Sequence, residues 1–185
     1  MSDIFLIVAG AASTALLAQV EVPLWPVPST GQTLGVLLTG ATLGAVRGAV
    51  AMILYLVLSA IGLPVLAGGA AGVEHLTGPT AGYLVAFVSA AGFAGWAAQR
   101  SWNRTALPVL LSLLAASILI QVCGVGWLIV SGAVGVQDAI VGGAVVLLPG
   151  TLLKTIIATI LVVLGWRFVE KDDRRRADDD IAMRD

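Results

Sequence analysis

Apolar residues run along this chain in long stretches, without the strict alternation of a half-buried strand. Glycine, proline and charged positions divide them into segments near 4–20, 33–45, 48–62, 79–97, 106–131 and 151–168. A spanning helix needs roughly 20 apolar residues. The pattern therefore predicts an all-α integral membrane protein with six transmembrane helices in one domain, residues 1–168. The second segment is short, so its helix should begin below the membrane surface, after the polar, proline-rich stretch 23–32. Irregular backbone at that depth must line a cavity or pack on protein. Residues 132–150 fit the pattern least. Gln137 and Asp138 interrupt them, AIVGGAVVLLPG is too short to cross, and Pro149-Gly150 reads as a stop followed by a fresh start.

Charge placement sets the orientation. Up to Trp166 the charged residues are Asp3, Glu21, Arg47, Glu74, Arg100, Arg104, Asp138 and Lys154. With six spans, the connections after helices two, four and six carry Arg47, then Arg100 and Arg104, then the basic residues of the tail. Those after helices one, three and five carry Glu21, Glu74 and Asp138 and no lysine or arginine. Lysine and arginine bias toward the cytoplasmic side then puts both termini in the cytoplasm and the chain in the inner (plasma) membrane. Trp96, Trp102 and Trp166 fall near the inner surface and Trp25 near the outer one. Residues 169–185, a mixed charge run with an acidic cluster at 178–180, are expected to be a disordered cytoplasmic tail.

Composition narrows the function classes. The chain is 58% hydrophobic and 11% charged, with a mean hydropathy of +1.00, which excludes a cytosolic enzyme. One cysteine, Cys123, and one histidine, His75, cannot build a Cys/His metal site or a Ser/His/Asp triad. No cofactor and no nucleic-acid partner are implied. The amino terminus carries an acid where a secretory signal has basic residues, and reads as the first span. The ending GTLLKT lacks the phosphate loop of a nucleotide site. Asn103-Arg104-Thr105 is a glycosylation sequon on the cytoplasmic side, so it carries no meaning. Glu74 and His75 are read as a solvated outer-loop pair. A membrane enzyme built on them and Lys154 is disfavoured, because no acid, base and nucleophile converge at one depth.

Lys154 is the charge that topology leaves unexplained. A lysine inside an apolar helix costs up to about 2.5–3.5 kcal/mol at the bilayer centre, so it should find a partner or a cavity. Snorkelling to the outer headgroups is one reading; anchoring a carboxylate ligand is the preferred one. Two unusual segments reach the same outer half. Residues 22–33 hold an extended, proline-fixed backbone and the amide of Gln32. Residues 62–83 are glycine-dense, which permits close backbone approach to a small molecule. Small residues also recur at intervals of four, at Gly31 and Gly35, at Gly40, Gly44 and Gly48, and at Ala11 and Ala15. Close packing within the chain accounts for them. For helix one, with its further small residues Ala9, Ala12, Ser13 and Ala18, a docking face for another membrane protein is the alternative.

Several ordered segments together resemble the BioY family of biotin-specific S components of energy-coupling factor (ECF) transporters. They are PVPSTGQTLGVLLTGATLG (26–44), Val46-Arg47-Gly48, YLVLSAIGLPVLAGG (55–69), LTGPTAGYLVAF (76–87), the G-x-x-W-L of 124–128 and PGTLLKT (149–155). The resemblance implies a six-helix subunit without an ATPase of its own. It binds biotin on the outer side, beneath the loops after helices one and three. By position, its substrate site would draw on Gln32, Gly68, Gly69, Ala70, Tyr83, Leu84, Trp127, Thr151 and Lys154. The face of helix one carrying Ala11 and Ala15 would meet a transmembrane coupling protein that carries two ATPases. Besides membrane lipid, a second copy of the chain is the other partner considered. Where the family has P-G-D-x-x-K, this chain has Thr151 in place of the aspartate, which leaves a different small vitamin-like carboxylate as the alternative ligand. Ala70 and Leu84 likewise stand where some relatives carry polar or cationic groups.

Overall fold

The structure is a computed structural model that describes residues 2–100 and 105–182. Trp102, Asn103, Arg104 and Arg184 lie outside the described residues. Eight α-helices are present among the described residues: α1 (Asp3–Ala18), α2 (Gln32–Leu43), α3 (Ala45–Ala60), α4 (Val73–Thr77), α5 (Ala81–Gln99), α6 (Ala106–Val130), α7 (Val136–Ile140) and α8 (Leu148–Ala182). A two-stranded antiparallel ribbon, β1 (Glu21–Val22) with β2 (Ser29–Thr30), closes the connection from α1 to α2.

By length and composition, three stretches suffice to cross a membrane: Ala81–Gln99, Ala106–Val130 and Val136–Asp172. The three helices α1, α2 and α3 are apolar but shorter. The six segments of the hydropathy pattern thus correspond to α1, α2, α3, α5, α6 and α8, with two five-residue helices added in the connections.

α5 is the axis of the fold, packed against α2, α3 and α6. Its face of Ala86, Phe87, Ala90, Ala91, Ala94 and Ala97 is buried. Glycines let neighbouring backbones close on it. A Cβ at Gly40 would strike the Ala91 carbonyl, and one at Gly95 the Gly44–Ala45 peptide. α2 turns directly into α3 through Gly44 at φ 85, a conformation open to glycine. On the first pair, a Cβ at Gly35 would meet Thr14 Cα at 2.8 Å. The glycine and alanine spacing is therefore internal packing. This corrects the docking reading at Ala11, which is 1% exposed within the core, while Ala15 packs partly buried against that core. The small residues of α1 that remain exposed are Ala9, Ala12 and Ser13.

Opposite ends of the bundle carry opposite charge. Arg47 pairs with Asp3 at 2.8 Å, and Gln99 Oε1 accepts from Ala45 N at 3.4 Å, which gathers the start of α1, the α2–α3 corner and the end of α5. Arg100 lies 4.4 Å from the Trp96 ring centroid beside them. Glu21 and Glu74 belong to the connections at the other end.

The region 132–150 is more regular than its sequence suggests. α7 leads through a π-helical turn, Val141–Val145, almost directly into α8. Pro149 sits in the first turn of α8, where its missing N–H costs nothing. α8 starts at Leu148, so Lys154 lies in its second turn. At its other end α8 continues to Ala182 without a break at 168, so the backbone of the charged segment is helical there. At 1.5 Å per residue its 35 residues span about 52 Å, well beyond a hydrocarbon core of roughly 30 Å.

Candidate ligand-binding site

The acidic end of the bundle holds a cavity of about 340 Å3, within the range of roughly 300–1,000 Å3 usual for small-molecule sites. Its wall is mostly apolar, with Val27, Leu66, Leu84, Phe87 and Leu147 buried around it. The exposed residues Glu21, His75 and Pro79 line its outer part.

Two connections meet over it. The β1–β2 ribbon pairs Glu21 with Thr30 and Val22 with Ser29, and Gly31 N donates to Val20 O at 2.8 Å. Trp25 and Pro26, at the ribbon's tip, rest on Gly142 of the π turn, where a side chain would collide with them. The glycine-rich connection folds back through a 3-10 turn, Ala67–Gly69, and a bond from Leu66 N to Ala70 O at 3.0 Å. Gln19 Nε2 joins the two connections by donating to Leu66 O at 3.1 Å.

Lys154 reaches from α8 to this ribbon. Its Nζ donates to Thr30 O at 2.9 Å and to Ser29 Oγ at 3.4 Å. Both acceptors are neutral, and among the described residues no carboxylate lies within ion-pair distance of it. Gly150 makes the approach feasible, because a Cβ there would sit 3.0 Å from Ser29 Oγ. A half-buried cation that meets only neutral oxygens is suited to receive an anion.

The amide of Gln32 has internal partners. Its Nε2 donates to Tyr55 Oη at 2.7 Å, Tyr55 Oη donates to Val65 O at 3.0 Å, and Thr30 Oγ1 donates to Gln32 Oε1 at 2.8 Å. Gln32 thus ties α2, α3 and both connections together. Tyr83 Oη is also committed, donating to Gly143 O at 2.7 Å in the π turn, with its ring against Gly124. Gln32 and Tyr83 nevertheless both line the cavity.

Of the residues singled out in the sequence, Lys154, Thr151, Gln32, Ala70, Tyr83 and Leu84 line this one cavity. Gly68 and Gly69 do not; they form the 3-10 turn, at φ 60 and 74, that brings Ala67 and Ala70 to the wall. Trp127 is also outside the lining. Its Nε1 donates to Gly78 O at 2.9 Å, and its Cβ lies where a side chain at Gly82 would be, so it clasps the α4–α5 turn to α6. Ser29, Thr30, Phe87, Gln121 and Leu147 were missed individually. Phe87 was recoverable as the next turn after Tyr83 on α5. Gln121 carried a signal of its own, an amide within an apolar span. Leu147 carried none.

The BioY family model matches residues 1–171. A biotin transporter BioY of Rhizobium etli is 34% identical over 161 residues, 82% of this chain and 86% of that protein. A probable biotin transporter BioY of Pyrococcus horikoshii is 32% identical over 159 residues, 86% of this chain and 93% of that protein. The fold is that of a crystal structure of the S-component for biotin from an ECF-type ABC transporter, at a TM-score of 0.80 over 89% of this chain and 90% of that one, with 23% identity.

Proposed function

Because the chain belongs to the BioY family, we propose that it is the membrane-embedded, biotin-binding subunit of a vitamin transporter, a multi-pass membrane protein and not an enzyme. The observation that carries this is Lys154, a cation held by two neutral oxygens on the wall of a largely apolar cavity. Biotin has a carboxylate for such a cation and a fused ring system for such a wall. In this reading Lys154 meets the carboxylate. Tyr83, Leu84 and Ala70 bound the rings, Thr151 adds a hydroxyl, and Gln32 holds the two connections in place. Gly68, Gly69 and Trp127 shape and clasp the connections that cap the ligand.

The finer topology belongs to the same proposal. Six helices, α1, α2, α3, α5, α6 and α8, cross the bilayer, with the cavity facing outward and both termini in the cytoplasm of a cell whose inner membrane holds the protein. Residues 1–168 make the transmembrane domain and the charged segment follows it inside. Transport is energised by a separate coupling protein with two ATPases, which meets the exposed small residues Ala9, Ala12 and Ser13 of α1.

Calorimetry of the purified chain with biotin, alongside mass spectrometry of what co-purifies, tests the ligand. Saturable binding at micromolar concentration or tighter is the expected outcome. A chain that carries a different carboxylate, or binds no biotin, defeats the assignment.

A further inference from the structure

One face of α8 changes character along its length. Leu153, Ile156, Ile160 and Leu164 are exposed, and their spacing of three and four puts them on one face, the side left to lipid. Thr155, Ala158, Val162 and Val163 are buried on the other side, against the bundle. The exposed register continues without a slip into Arg167, Lys171, Arg174 and Arg175, which are exposed as well. Four cations thus prolong the stripe that meets lipid tails. The Arg47–Asp3 and His75–Glu74 ion pairs involve none of them. Glu170 falls in the register of Thr159 and Val163 on the bundle side, and Asp172 lies off to the flank.

Depth decides what such a stripe can touch. Counted from Leu148, a hydrocarbon core of roughly 30 Å takes up about 20 residues at 1.5 Å each, so α8 emerges near residue 168. Trp166, exposed just before that point, sits where indoles prefer the interface. Arg167 to Arg175 covers about 12 Å of helix axis, and the headgroup layer on one side is about 5–8 Å thick. Side chains on a helix lean toward its N-terminus, which here is back toward the bilayer, and lysine and arginine stems are long. Arg174 and Arg175 can therefore reach the layer that holds Arg167 and Lys171. The acidic residues at 178–180 begin about 16 Å beyond Arg167 along the axis, outside it.

We propose that Arg167, Lys171, Arg174 and Arg175 bind the phosphate groups of anionic phospholipids in the leaflet from which α8 emerges. Arginine donates to phosphate oxygens in a planar fork, and lysine adds a point charge. Each basic residue held at an anionic surface strengthens the attraction by about fivefold. An acidic protein surface is the other occupant that four cations could meet. Continuity with the lipid-facing stripe and the depth of the charges favour lipid. The topology proposed above makes this leaflet the cytoplasmic one, and the inference rests on that reading for the side alone.

The test uses the full-length purified chain in nanodiscs of phosphatidylcholine, with and without an equal share of phosphatidylglycerol. Both faces of such a disc carry the same lipid, so the contact is tested whichever side the tail is on. Backbone hydrogen exchange over residues 169–177 should slow at least about fivefold with phosphatidylglycerol in low salt. It should return to the phosphatidylcholine rate in molar salt, where the Debye length is about 3 Å. The combined variant Lys171→Gln, Arg174→Gln and Arg175→Gln keeps the helix propensity and should lose the slowing, with biotin binding unchanged on the same discs. Equal exchange in the two lipids overturns the inference, as does slowing that survives in the variant or in molar salt. Protection that appears only when a separate coupling protein is added assigns the stripe to a protein surface and also overturns it. A wild-type chain that binds no biotin yet shows the lipid-dependent slowing brings down the function and supports this inference.

Discussion

The two halves of the bundle are held together differently. Between α1, α2, α3 and α5 the backbones themselves touch, through Gly35 on Thr14, Gly40 on Ala91 and Gly95 on the Gly44–Ala45 peptide. Side-chain oxygens there stay within their own cluster, as when Thr39 Oγ1 donates to Gly10 O at 3.3 Å. α6 and α8 instead meet through the hydroxyl pair of Ser117 and Thr155, and toward the acidic end they part around Lys154, Gln121 and Thr151. In lipid, helices associate through packing and hydrogen bonds because tails and side chains are equally apolar. One half uses that rule to make a rigid frame, and the other relaxes it where a ligand must fit.

That contrast can be broken from either side. The largest effect should come from Gly40→Val, whose side chain would displace the Ala91 backbone. We expect at least about 3 kcal/mol of destabilisation, at the upper end for overpacking, read as loss of folded, monodisperse protein in gel filtration. Lys154→Ala should instead leave folding intact and weaken biotin at least thirtyfold, since truncating one partner of a desolvated charge pair costs about 2 kcal/mol or more. Unchanged affinity in calorimetry would refute the carboxylate contact. Ser117→Ala removes the α6–α8 hydroxyl bond. Intramembrane bonds average about 0.6 kcal/mol and reach about 1.7, so thermal unfolding should show a small drop and ligand affinity a modest one. The smallest effect should be Asp3→Asn, which cuts the exposed pair with Arg47. Such pairs contribute about 0–1 kcal/mol, and the unfolding midpoint should hardly move.

Much of the fold was legible before any coordinates. Apolar runs located six helices, three of them long enough to cross a membrane, within a few residues except at the far end of α8, since a bilayer demands length and hydrophobicity that few other contexts do. The short second helix was visible for the same reason, and it does follow an irregular segment that lines a cavity. The connection 132–150 was harder. Gln137, Asp138 and Pro149-Gly150 read as interruptions, yet the chain is largely helical there. Trp25 and Pro26 press on Gly142, and Tyr83 Oη donates to the Gly143 carbonyl, so tertiary contacts hold the π turn between them. Beyond 168, continuity with a long apolar helix carries the helical backbone through the charged run to Ala182.

At the site, the sequence alone identified Lys154 as the charge requiring a reason, because an ionisable group inside an apolar span has few ways to exist. It also determined the membrane setting and the family, through ordered motifs such as PVPSTGQT and LTGPTAGY. Which groups meet that lysine was decided by the tertiary structure. Ser29 and Thr30 reach it from 124 and more residues away in sequence, on a ribbon whose position depends on Gly150, Gln32 and Tyr55 together. Residue type constrains where a charge or an amide can reside; its neighbours follow from packing, a property of many residues at once.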